Sequence, residues 1–140
     1  MNKPYISRRD AREIVFCMIF EMEYHRDLKP IDVYDLALES RDIVDDDYIQ
    51  KVFFTTFENV SDIDELINIS SVGWKNERIS KVTMSILRLA VCEMKYIDEI
   101  SVGVAINEAV ELCKKYDDDA SAAFVNGILG AIEKREKLSR

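Results

Sequence analysis

"ERISKVTMSILRLAVCEM", residues 77–94, is the stretch whose reading decides the fold class. Val82, Ile86, Leu87, Leu89, Ala90, Val91 and Met94 follow a helical period but spread over more than half of the circumference. A surface helix shows a narrower apolar stripe, so this one is expected to run from Glu77 to Met94 with other helices on most sides.

The flanking sequence supplies those helices. "SRRDAREIVFCMIFEMEY", residues 7–24, opens with Ser7 and Asp10 at capping-box spacing, and Ala11, Ile14, Val15, Met18, Ile19 and Met22 form one apolar face. Pro30 starts a second helix with Val33, Leu36 and Ala37 inward. Acids at 45–47 suit the positive start of a third, followed by Tyr48, Val52, Phe53 and Phe57. Ser61 and Asp62 are expected to cap a short helix to about Ser70, and Gly73 to break the chain. Beyond the turn "DEIS", Ile106, Ala109, Val110 and Cys113 mark a sixth helix, and Val125, Ile128, Leu129 and Ile132 a last one. Asn126 and Gly127 are poor helix formers inside that last run, which points to close packing of Gly127 on a neighbour. No stretch alternates with a strand period. The expectation is an all-α bundle of about seven helices in one domain, residues 1–140, arranged as two packed sub-bundles meeting near Gly73.

Composition narrows the function. With 48% hydrophobic and 33% charged residues, the 140-residue chain is too apolar for disorder. No run reaches the roughly 20 apolar residues of a membrane span, and "MNKPYISRRDAR" has no apolar signal core, so a cytoplasmic protein without a membrane partner is expected. Cys17, Cys92 and Cys113 are widely spaced in apolar helical patterns, and His25 is the only histidine, so no metal site is expected. Neither a phosphate-binding Gly-rich loop nor a nucleophile elbow is present, and Glu108 and Glu111 read as ordinary helical carboxylates. No enzyme activity and no cofactor are expected.

The net charge of −8 argues against coating nucleic acid by bulk electrostatics, but the charge is uneven. Lys3, Arg8, Arg9 and Arg12 stand against Asp10 alone in residues 1–12, whereas residues 31–77 carry twelve acids against three bases. Arg8 and Arg12 are four apart and share a helix face, with Arg9 about 100° away. Guanidinium groups so placed suit phosphates and unstacked bases of single-stranded RNA. The alternative from the residues alone is a solvated N-terminal turn with Arg12 paired to an acid.

Four ordered segments, "RRDAREIVFCMIFEME", "GWKNERISKVTMSILRLAVCEM", "SVGVAINEAVELCKKY" and "SAAFVNGILGAI", resemble those of the NusB family of transcription antitermination factors. The resemblance spans nearly the whole chain and is weakest over residues 26–70. It implies an all-helical, non-enzymatic protein that binds the boxA element of nascent ribosomal RNA transcripts, pairs with NusE, a small-subunit ribosomal protein, and joins the RNA polymerase elongation complex. Carried onto this sequence, it assigns RNA binding to Arg8, Arg9, Arg12, Ser121, Phe124 and Asn126. It assigns partner binding to Phe20, Glu77 and Glu108, and it leaves a homodimer open.

Departures from the family pattern are Asp10 and Ala123 where basic residues are common, Phe20 for a frequent Tyr, Ala120 for an acid, and Asp117 for a Gly. Lost phosphate contacts predict weak RNA binding by the protein alone, improved by its partner. Two other readings stand beside this one. One is a helical scaffold that binds only protein. The other is a relative of the RNA-recruiting domain of an RNA cytosine methyltransferase, although no βαβ pattern for a methyl-donor domain is present.

Overall fold

The computed structural model describes residues 6–40, 44–71 and 79–140. Among them lie seven helices and no strand: α1 (Arg8–Met22), α2 (Pro30–Ser40), α3 (Asp47–Glu58), α4 (Val60–Ser70), α5 (Lys81–Tyr96), α6 (Val102–Tyr116) and α7 (Asp119–Arg135). Their starts follow local chemistry. The side chains of Ser7, Asp46, Ser80, Ser101 and Asp118 each accept a hydrogen bond from the backbone N–H three residues on, satisfying a donor that the helix itself leaves unpaired.

α5 occupies the centre, packed against α1, α3, α4, α6 and α7. Ile86, Leu87, Leu89, Ala90, Val91, Cys92 and Met94 are all buried and Val82 is half-buried, so its wide apolar surface is covered by neighbours on most sides. Ser80 is extended and caps Thr83, which sets the start of α5 at Lys81 rather than Glu77; Glu77 itself lies outside the described residues. α1, α2 and α3 pack as one group and α4, α6 and α7 as another, with α5 shared between them.

In sequence the first group passes to the second at Asn59; Gly73, where the sequence reading put the meeting, lies outside the described residues. Asn59 ends α3 and starts α4, its amide nitrogen donating to the carbonyl of Thr55 at 2.9 Å, so Ser61 and Asp62 fall inside the first turn of α4 and do not cap it. Other expected faces are rotated. Leu36 is exposed while its neighbour Tyr34 is buried on α2. On α6 the buried stripe is Val102, Ala105, Ala109, Leu112 and Cys113, with Ile106 and Val110 only half-buried. α7 runs unbroken through Asn126 and Gly127, so "FVNG" lies in the second and third turns and Asp118 is the cap. Cys92 and Cys113 are buried free thiols, each pushed up to about 12 by burial. His25 is exposed beyond the end of α1.

Arg88 ties the two groups together on the outside of α5. Its Nε and a terminal nitrogen donate to both carboxylate oxygens of Asp64 on α4, at 2.8 and 3.0 Å, and its other terminal nitrogen donates to Glu23 just beyond α1. Glu23 also accepts from Arg26 at 2.7 Å. Burial works to raise the Glu23 carboxyl, but the two arginines outweigh it and hold it below its ordinary 4.5. A depressed carboxyl stabilises the fold above its unfolded value and loses that contribution as pH falls through the folded one. Glu23→Gln is therefore expected to lower the thermal midpoint at pH 7, and its gap to wild type to close as pH falls from about 5 to about 3, followed by circular dichroism. A gap independent of pH would rule out this role.

Candidate nucleic-acid interface

The three arginines that open α1 meet three different environments. Arg12 points inward and is 3% exposed; its Nε and a terminal nitrogen fork onto Glu93 of α5, at 2.9, 3.1 and 2.8 Å, with Glu93 only 1% exposed. A charge taken out of water needs such bidentate pairing. Burial alone would lower the Arg12 guanidinium, yet the hydrogen bonds and charge of Glu93 hold it above its ordinary value. The expectation that Arg8 and Arg12 offer one face to RNA is thus corrected: Arg12 is a buried strut, as the alternative of pairing to an acid anticipated.

Arg9 lies on the surface and donates through Nε and a terminal nitrogen to Glu108 of α6, at 3.2 and 2.9 Å. Its side chain is 69% exposed, so water and salt screen the pair and a competing phosphate has access to it. Arg8 is exposed too, but its guanidinium carbon lies over the ring of Tyr48 on α3, 4.3 Å from the centroid. Among the described residues no carboxylate approaches it within 4 Å.

Tyr48 completes the set. Its hydroxyl donates to Glu93 at 3.1 Å, onto the oxygen that also receives Arg12, and burial followed by the charge of Glu93 raises the phenol well above its ordinary range. α3 can present Tyr48 in its first turn because Asp46 caps the helix from Ile49 N–H.

Glu108, expected to face a protein partner, is therefore joined to the arginine cluster. Phe20, expected with it, is half-buried eleven residues further along α1, about 16 Å from Arg9 at 1.5 Å per residue. There it packs edge-on to exposed Tyr24, with ring centroids 5.2 Å apart, and Lys81 sits over the Tyr24 ring. The structure does not bring Phe20 and Glu108 together.

Of the last-helix residues, the Ser121 N–H donates to Asp118 at 2.7 Å in the capping turn, Phe124 is half-buried against the core, and Asn126 is exposed. Asn126 lines an open groove of about 700 Å³ between α6 and α7, with Ile106, Asn107, Val110, Lys114 and Ala123 around it. Adjacent α6 residues thus serve both clusters: Asn107 borders the groove and Glu108 holds Arg9. Of the family departures, Asp117 has a structural use, accepting from Thr83 at 2.8 Å beside the start of α5. Asp10, Ala120 and Ala123 are exposed.

Tyr48, Glu93 and Asn107 were not anticipated from the sequence. For Glu93 a signal exists: a carboxylate inside an otherwise apolar helix requires a buried cation. No group of three or more potential metal ligands occurs among the described residues, and no helix there is long and apolar enough to cross a membrane.

The NusB family model matches residues 9–134. The transcription antitermination protein NusB of Acetivibrio thermocellus is 43% identical over 136 residues, spanning 96% of this chain and 93% of that protein. NusB of Lachnoclostridium phytofermentans is 41% identical, with 91% and 98% covered. T. maritima NusB superposes with a TM-score of 0.79 at 32% identity, over 94% of this chain and 93% of its own. A chain in the crystal structure of antitermination factors NusB and NusE in complex with dsRNA superposes with a TM-score of 0.79 at 27% identity, with 91% and 96% covered.

Arg12→Ala leaves Glu93 buried without its cation and is expected to cost about 3–5 kcal/mol in chemical denaturation. The double change Arg12→Met/Glu93→Leu should recover most of that loss. A single substitution within about 1 kcal/mol of wild type would contradict the strut.

Proposed function

The chain belongs to the NusB family, and from that premise we propose that it is a cytoplasmic, non-catalytic transcription antitermination factor. It binds boxA-type RNA of nascent ribosomal RNA transcripts together with NusE and joins the RNA polymerase elongation complex. The observation that carries this reading is the surface at the start of α1, where among the described residues no carboxylate comes within 4 Å of the Arg8 guanidinium and Arg9 holds only a screened pair, on a protein of net charge −8.

Two accessible guanidinium groups make a small electrostatic footprint. Exposed Asp10 and Ala123 add no cation to it. The protein alone therefore binds RNA weakly, and NusE, a basic ribosomal protein, supplies the remaining contacts and meets the acidic body of this chain. On the last helix, Asn126 and Phe124 lie beside the α6–α7 groove and the core respectively, and Ser121 at the capping turn; these form the second part of the RNA face. Phe20 and Glu77 are proposed for the protein partner, and Glu108 works through Arg9.

The test is fluorescence anisotropy with a labelled boxA-like RNA and a scrambled control, with and without NusE, at several salt concentrations. Binding should prefer boxA and tighten with NusE. Arg8→Ala/Arg9→Ala should weaken it and reduce the slope of log affinity against log salt by about 1.4, two single-strand phosphate contacts at about 0.7 each. NusE binding with no RNA binding under any condition would overturn the RNA assignment in favour of a protein-binding scaffold.

A further inference from the structure

Arg8 differs from its two neighbours in what it rests on. Arg9 and Arg12 have their forks filled by carboxylates, whereas Arg8 is placed by a ring, 4.3 Å from guanidinium carbon to centroid. A guanidinium lying on an aromatic face keeps its N–H donors in its own plane, clear of the ring. The ring beneath Arg8 is itself fixed. Tyr48 is 9% exposed, its hydroxyl is bound to Glu93, and Glu93 is clamped by Arg12, whose guanidinium lies 5.7 Å from the same ring. The chain of contacts runs from the core outward, α5 to α3 to the first residue of α1.

Long arginine side chains lose rotamer freedom when they bind, and holding one in place beforehand reduces that loss. Lys51, one turn beyond Tyr48 on α3, is paired at 2.6 Å with Glu99 in the α5–α6 loop, so the nearby exposed carboxylate already has a cation. We infer that Tyr48 is a positioning residue for RNA: its ring, locked from below by Glu93, holds the Arg8 guanidinium flat so that its in-plane donors meet a backbone phosphate of single-stranded RNA. This rests on the RNA reading above and adds to it a residue that does not itself touch RNA.

Orientation and charge separate in the test. Arg8→Lys keeps the charge but has neither the plane nor the fork, and because Arg8 is exposed the variant folds. It is expected to bind boxA-like RNA about two- to fivefold more weakly than wild type. Tyr48→Leu should show a similar loss, and in the presence of Arg8→Ala it should add nothing further. Tyr48→Phe, which keeps the ring but loses its bond to Glu93, should bind more weakly than wild type and more tightly than Tyr48→Leu. Ring-current shifts give a readout without RNA: the Arg8 side-chain protons should be displaced upfield in the NMR spectrum of wild type and return in Tyr48→Leu.

Wild-type affinity and salt slope in Arg8→Lys would overturn the inference, since charge alone would then account for Arg8. Absence of the upfield shift in wild type would overturn it whether or not RNA binds. A normal upfield shift with no RNA binding to wild type, with NusE present, would instead bring down the proposed function and the positioning role with it.

Discussion

The buried pair of Arg12 and Glu93 is the constraint on which the other features depend. Two opposite charges almost wholly removed from water are tolerated only in a narrow geometry, and that geometry is met by a fork from the second turn of α1 onto the carboxylate of α5. The pair fixes the rotation and height of α1 relative to the central helix. Tyr48 adds a third helix to the same carboxylate, so α1, α3 and α5 are registered at one point. Apolar packing alone tolerates small slides between helices; a bidentate ion pair with a phenol on the same oxygen does not.

What this registration does at the surface follows from helix geometry. With Arg12 turned inward, Arg9 is placed next to α6 and Arg8 next to α3. The arginines divide the work because their surroundings differ, not because their chemistry does. One is desolvated and structural, one is screened and exchangeable, and one rests on a ring. In an acidic chain these two accessible cations form a local field whose reach is about one Debye length, roughly 8 Å at physiological salt.

α6 is the other organiser. It packs on α5 and α7, and its consecutive residues Asn107 and Glu108 face the groove of α7 and the start of α1. The proposed RNA face is therefore continuous from α1 across α6 to Asn126. The aromatic cluster of Phe20 and Tyr24 lies further along α1, a full three turns away, which leaves separate ground for a protein partner.

Much of the architecture was legible in the sequence, because helix periodicity and capping are local. The width of the apolar surface on residues 82–94 identified the central helix, and Ser7 and the acids at 45–47 marked true helix starts. The four ordered motifs carried the family. Where the reading missed, a residue close by in sequence took the expected role: Asn59 stands at the α3–α4 junction ahead of Ser61, and Tyr34 rather than Leu36 is buried on α2. The site was legible only in part. Sequence spacing put Arg8 and Arg12 on one face and Arg9 on another, but it has no knowledge of what lies opposite each face. That Glu93, 81 residues away, removes Arg12 from the surface, and that Tyr48 lies beneath Arg8, are contacts made only when three helices meet. Local chemistry determined the elements and, except on α2 and α6, their inner faces; the tertiary structure alone decided which charges stayed in water, since desolvation is a property of the assembled surroundings and not of the residue.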